Sequence, residues 1–235
     1  MIGVDLIILV TYIACIAAAL ARIVNSFNDE YTVKLDSQAL KEQLSVLELQ
    51  NFIDISFGFD KRYEYGKNDK LNKLSITVKN KANGHSIYVD WDYCTLTDLQ
   101  GKARRVIRLV PGSSLDLSQM QVFSVATPET NLKENITAED CLKRETAPKD
   151  GPPVAFELQV NKPLLDFVAL TKAKDDGTKK KIIRFLGSQT TLSFSLDVAV
   201  RIVGPARSAS DRALIRCRFI IQKLPWQAGL PWNPR

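Results

Sequence analysis

Leu6 to Ala21 form an uninterrupted uncharged run (LIILVTYIACIAAALA), set between Asp5 and Arg22 and followed by more than 200 residues of ordinary mixed composition. The run is apolar on every side, so a core helix, which keeps one polar face for water, is a poor description of it. About 20 residues at roughly 1.5 Å rise are needed to cross a hydrocarbon core of about 30 Å, and the stretch from Ile2 to Val24 is long enough. Asp5 stays in the headgroup zone at one end and Arg22 snorkels at the other, so neither charge sits at the bilayer centre. The run predicts a single-pass membrane anchor flanked by Asp5 and Arg22. A cleavable signal peptide would carry basic residues ahead of the apolar run, where this chain has only its amino terminus and Asp5. Tyr12 to Cys15 distantly suggest a lipoprotein processing site, but six more apolar residues follow Cys15. Lipidation of Cys15 stays open as an alternative.

Lys and Arg near a span set its orientation, while acidic residues count for little. Arg22, Lys34 and Lys41 follow the run and none precedes it, which places the N-terminus outside and the large domain in the cytoplasm of a plasma or thylakoid-type membrane. Cys94, Cys141 and Cys217 are odd in number and far apart, as suits small buried hydrophobes better than a disulfide framework. The roughly 210 residues past the anchor are 45% apolar over the whole chain, enough for one large or two small domains. The net charge of +6 is spread out, except at Lys179 to Lys181 with Lys172, Lys174 and Arg184 nearby. After the turn-like Asp175, Asp176, Gly177, this group reads as a solvated loop tip, with attraction to anionic headgroups as the competing reading. Nucleic-acid binding would need a wider basic stripe interleaved with aromatics.

Residues 25–52 read as a juxtamembrane linker with one amphipathic helix, Ser37 capping Leu40, Leu44 and Leu47 at helical spacing. From Ile53 the period changes to two. Ile53, Ile55, Phe57 and Phe59 alternate with polar residues, as do Leu74, Ile76 and Val78, then Ile87, Val89 and Trp91. The pattern returns at Val154 to Val160, at Leu192 to Ile202 and at Ile215 to Ile221. Leu99 to Lys102 mark a hairpin between Thr95 to Asp98 and Ala103 to Leu109. About seven half-buried strands over 53–224 predict an antiparallel β-sandwich. Thr127 to Pro153 read as a long loop, with a short helix near Ala138 to Arg144 or an excursion across the sandwich.

The segment LSITVKNKANGHSIYVDWDYCTLTDLQGKARRVIRL, residues 74–109, resembles membrane-tethered or lipidated bacterial proteins with an immunoglobulin-like sandwich. The matching features are Asn80, Asp90 beside Trp91, Asp98 with Gly101, and Arg104 with Arg105; Thr190 to Val203 would be the second sheet. In texture, and in its closing residues LPWQAGLPWNPR, the chain is similar to cyanobacterial-type single-pass proteins. The resemblance implies an immunoglobulin-like fold and no assigned chemistry, and a fold alone does not license a function.

Few residues suggest catalysis. His85, the only histidine, sits by Gly84 in a predicted turn and would need distant partners for a metal site or triad. Asp90 and Asp92 alternate onto one strand face, about 7 Å apart, where a hard cation would need further oxygens from a loop; a solvated face is the plainer reading. No glycine-rich phosphate loop occurs. No cofactor, metal site or catalytic residue is expected, and a hydrolase built on Asp90, Asp92 and His85 is the remote alternative. The tail 225–235 repeats Leu-Pro-Trp at Leu224 to Trp226 and Leu230 to Trp232, holding two of the three tryptophans. Proline excludes regular helix and tryptophan near an extended end buries against something. That something is the tail's own domain, the membrane interface, or a protein partner docked on Trp226, Leu230, Pro231 and Trp232. The resulting expectation is a non-enzymatic, membrane-anchored interaction or assembly module, an accessory subunit of a larger membrane complex. The other reading is an exported or lipidated envelope protein with a structural sandwich.

Overall fold

The computed structural model describes residues 2–26, 30–65, 71–110, 119–144, 158–173, 175–204 and 212–229. The apolar run forms helix α1 (Ile2–Ser26), with Asp5 in its first turn, where a carboxylate complements the helix dipole. Thr11 donates to the Ile7 carbonyl at 2.8 Å, so its hydroxyl needs no partner outside the helix.

The rest is mainly antiparallel β. Its spine is a long hairpin of β12 (Leu192–Val203) and β13 (Arg212–Lys223), paired from Leu192 with Ile221 to Arg201 with Arg212. Period-two alternation sends Phe194, Leu196, Val198 and Val200 inward from one strand and Ile215, Cys217, Phe219 and Ile221 from the other, all buried as the sequence predicts. The free edge of β13 takes β1 (Glu30–Leu35), which in turn takes β3 (Tyr63–Glu64). The other edge of β12 is shared by β5 (Ser86–Val89) and β6 (Thr95–Thr97). Between those two strands, a one-turn helix at Trp91–Tyr93 leaves the ladder and inserts Trp91, fully buried, into the core. The Ala199 N–H opposite this interruption donates to Cys94 Sγ at 3.4 Å, so the buried donor is not orphaned.

Asp98 organises the turn from β6 into β7 (Ala103–Arg108). Its carboxylate accepts from the Gln100 and Lys102 N–H groups, and Gly101 takes a φ of 81°, which a glycine adopts without strain. Then β7 changes partners midway: Ala103 to Arg105 pair with β6, and Val106 to Arg108 pair with β9 (Asn131–Ala138). From β9 the ladder continues to β4 (Leu74–Asn80) and β2 (Ile53–Gly58), while β8 (Ser124–Ala126) lies on β5. Among the described residues the result is one curled sheet of eleven strands, a half-barrel, with β10 (Leu142–Arg144) and β11 (Leu158–Val160) paired separately. The expected strands are antiparallel as predicted, but β7 joins them into one sheet instead of leaving two apart. The halves meet across a shared core, where the Phe57 ring of β2 stands edge-on to Phe219 of β13 at 4.8 Å.

Three local readings change. Within 25–52, residues 30–35 are strand β1 inside the sheet, and α2 (Ser37–Val46) is capped by Asp36, which accepts from the Ala39 N–H at 3.2 Å, instead of by Ser37. That helix packs on protein through buried Leu40 and Leu44, and Gln43 bonds the β13 backbone at Leu214 and Arg216. Within 127–153, the expected loop contains β9, a strand with two neighbours, and the region near Ala138 to Arg144 is a one-turn helix at Glu139–Cys141 followed by β10. Lys179 to Lys181 lie in α4 (Asp176–Leu186), not on a loop tip. The Asp175 carboxylate accepts from the Gly177 and Thr178 N–H groups, so the acidic turn sequence is a helix cap. With α3 (Phe167–Thr171), α4 packs Phe167 and Phe185 against Tyr31 and Tyr65.

Candidate functional site

The stretch of α1 from Val4 to Ala21 has a mean hydropathy of 2.4 and is buried by none of the described residues. Leu6, Ile7, Ile8 and Leu9 each expose more than half of their surface. By length and composition this helix can cross a bilayer; a signal sequence passes the same test. Asp5 is exposed near its start and Arg22 lies in the helix close to its end.

Three residues separate Ser26 from Glu30, a span of at most about 14 Å when fully extended. The helix is therefore tied directly to the first strand of the sheet. Antiparallel pairing sets the start of β1 beside the end of β13, with Tyr31 opposite Lys223. The chain leaving β13 stays there: the Leu224 N–H donates to the Glu30 carbonyl at 3.0 Å, and Arg62 donates to the Ala228 carbonyl while pairing with Glu30 at 3.3 Å. Trp226 opens a one-turn helix at Trp226–Gly229. The fold thus brings the point where the apolar helix joins the domain next to the beginning of the Pro/Trp tail, a juxtaposition that sequence spacing gave no way to see. Leu230, Pro231 and Trp232 lie outside the described residues. Lys223 also bonds the Leu186 carbonyl, bringing the last turn of α4 to the same end.

The residues that carried the remote catalytic alternative are dispersed to structural duties. The His85 ring stands edge-on to Phe52 at 5.4 Å and rests on Gly204, where a β-carbon would collide with it. Asp90 and Asp92 do not share a strand face, because β5 ends at Val89 and the one-turn helix turns them apart. Asp90 receives Arg201 at 3.7 Å and Arg212 at 3.4 Å. Asp92 takes Arg105 at 2.7 Å and the Gln121 N–H at 2.7 Å. Burial alone would raise the Asp92 carboxyl, but the hydrogen bonds from Arg105 and Gln121 outweigh it and hold the group below its ordinary value. Among the described residues no three His, Cys, Asp or Glu side chains are grouped as metal ligands.

None of the four cysteines forms a disulfide, and Cys94, Cys141 and Cys217 are buried. Burial pushes the Cys94 and Cys217 thiols up to about 12 and raises Cys141 as well, so none is a ready thiolate. Cys141 lines a cleft with Leu99, Arg104, Asp140, Leu165 and Leu170. The Arg104 guanidinium there is already committed to Asp140 and to the Leu164 carbonyl at 2.9 Å, which ties β7 to the chain entering α3 instead of leaving a cation for a ligand.

A second polar knot was also invisible in the sequence. Glu134 on β9 accepts from Arg108 at 3.1 Å and from the Ser124 hydroxyl at 2.9 Å, and that hydroxyl accepts from the Trp91 indole at 2.9 Å. One half-buried strand residue thereby ties together β7, β8 and the one-turn helix. Comparison with known proteins finds no family, no curated protein and no solved structure that the chain matches.

Proposed function

We propose that this chain is a non-enzymatic, membrane-anchored interaction or assembly module, an accessory subunit of a larger membrane complex. The observation that carries the reading is the apolar helix α1, unburied from Val4 to Ala21 and joined by three residues to a folded β-domain. Apolar surface of that extent is unfavourable in water at about 25 cal/mol per Å², and lipid removes the cost. The curled sheet, its halves facing across one core, acts as an immunoglobulin-like sandwich body. Its role is localisation: a domain held at a surface meets a partner in the same membrane at a raised effective concentration. Arg22, Lys34 and Lys41 on the domain side favour a cytoplasmic domain and an outside N-terminus. The chain leaves the sheet at Leu224, beside the strand that follows the anchor, so the start of the tail is supplied at the end of the domain nearest α1, where a partner subunit at the bilayer surface can meet it.

The test is alkaline carbonate extraction of native membranes, with N-terminal sequencing of the protein recovered. Retention in the pellet with Met1 or Ile2 at the N-terminus, and release of a chain lacking residues 2–26, is the expected result. Release by carbonate, or a mature N-terminus beyond residue 21, would replace the anchor with a cleaved export signal. Mild-detergent pull-down with and without residues 225–235 then tests the assembly role; if both forms come down alone, the accessory-subunit reading fails.

A further inference from the structure

The outward face of the sheet, at the end of the β12–β13 hairpin away from α1, combines arginines, aromatic rings and exposed apolar side chains. Val125, Tyr88, Arg201 and Arg212 follow one another across β8, β5, β12 and β13 as direct register neighbours. Arg201 and Arg212 share one carboxylate, Asp90. Each guanidinium also meets an aromatic ring, with Arg212 3.9 Å from the centre of Tyr93 and Arg201 5.8 Å from that of Phe123, which is favourable for a planar cation. Around them large apolar side chains face solvent: Met120 is 80% exposed, Val122 69%, Leu214 60% and Tyr93 51%.

Aromatic residues, methionine and arginine are the types enriched at protein interfaces, where lysine and glutamate are depleted. The charge balance narrows the occupant. Among the described residues, two cations against one carboxylate leave a local excess of positive charge, and Arg201 Nε is buried with no hydrogen-bond partner. A second copy of the chain would bring this excess against itself. The bilayer that holds α1 lies at the other end: α1 enters beside Lys223, and the eleven steps of β13 back to Arg212 are about 35 Å of strand.

We infer that this face docks a partner protein through a segment carrying a carboxylate flanked by apolar side chains. The carboxylate enters between Arg201 and Arg212, whose ring contacts hold the guanidinium planes in place for paired hydrogen bonds. The flanking apolar groups cover Met120, Val122, Tyr93 and Leu214. This names the partner chemistry of the interaction module and rests on that reading.

The experiment uses the full chain in detergent micelles and a set of labelled 12-residue peptides in which Asp or Glu alternates with Leu or Phe. The control peptides carry Asn or Gln instead, and binding is followed by fluorescence polarisation. Saturable binding is expected for the acidic set, at least tenfold weaker for the amide set, and at least tenfold weaker for Arg212→Glu and for Met120→Asp. Met120 is exposed enough that its substitution leaves folding intact, which a thermal melt verifies. Absence of saturable binding, equal binding by the amide peptides, or unchanged binding by both variants overturns the proposal. So does displacement of the peptide by anionic phosphatidylglycerol vesicles, or a Phe123 photocrosslink that joins two copies of this chain. Carbonate extraction of Arg212→Glu membranes is expected to be unchanged, so loss of this face and loss of the anchor are separate outcomes.

Discussion

At the end of the β12–β13 hairpin nearest α1, Tyr31 is 1% exposed and contacts Tyr63, Tyr65 and Phe167, with α3 and α4 laid over the group. At the opposite end, Tyr93 and Phe123 are about half exposed, stacked with arginines, and nothing in the described chain covers them. The same residue types are used in both places. The difference is in which elements the chain has to spare. After β11 it supplies two helices to the end nearest α1, while among the described residues the distal end is finished by the one-turn helix and the strand β8. Aromatic burial at the first end adds to stability; at the second, the same residue types stay in contact with solvent.

The sharpest break of this comparison is at the anchored end. Tyr31→Ala removes a ring stacked on two others and a hydroxyl that bonds the Leu71 backbone. Loss of a buried aromatic with partial collapse of the site costs about 3–5 kcal/mol. Urea denaturation is expected to show a correspondingly lower midpoint with an unchanged slope; a shift of less than about 1 kcal/mol would mean that α3 and α4 do not seal this end.

A smaller effect is expected where the two ends are joined, at the Glu134 knot. Glu134→Leu leaves Arg108 without its carboxylate and Ser124 without its acceptor, at a cost of about 1–3 kcal/mol. Because Ser124 also holds the Trp91 indole, the same variant should change the Trp91 fluorescence in a Trp226→Phe, Trp232→Phe background. An unaltered emission spectrum would show that the indole is fixed by packing alone.

These residues also show what could be seen in the sequence. β2, β4, β12 and β13 alternate cleanly because one face of each meets the core and the other meets water. β1 has no such signature, since Glu30 to Val33 are all buried, one side by the core and the other by neighbours remote in sequence. β9 hides for a different reason. Its Glu134 and Lys133 break the apolar period, and only the tertiary fold brings Arg108 and Ser124 to the glutamate. In α4, Asp-Asp-Gly reads equally as a turn and as a cap, and Ile182 and Phe185 decide for a helix only when Tyr65 is placed beside them. The apolar helix α1 was legible at once because an apolar run needs no partner to be recognised. The distal face was not, since its side chains come from four separated segments, 88–93, 120–125, Arg201 and 212–214.

Acid separates the two ends further. The folded Asp92 carboxyl lies below its ordinary value of 3.8, so the unfolded chain binds a proton there more readily than the folded one. Its contribution to stability is complete above 3.8 and is lost as pH falls through the lower folded value. Denaturation midpoints are expected to fall as pH drops below about 4, and the fall should be shallower in Asp92→Asn. Parallel curves for parent and variant would assign the acid sensitivity to other carboxylates.

The smallest expected change is at the exposed end itself. Met120→Ala deletes a side chain that is already 80% in solvent, so the folded and unfolded chains lose nearly the same hydration and the stability change should stay within about 0.5 kcal/mol. Set against Tyr31→Ala, this variant isolates the two uses of apolar surface. If Met120→Ala destabilises by more than about 1 kcal/mol, residues 119–123 are part of the core's support, and the distal face loses its claim to be kept open for a partner. If stability holds while peptide binding weakens, the methionine stabilises the complex and not the fold, which is the property that distinguishes a docking surface from a poorly covered core.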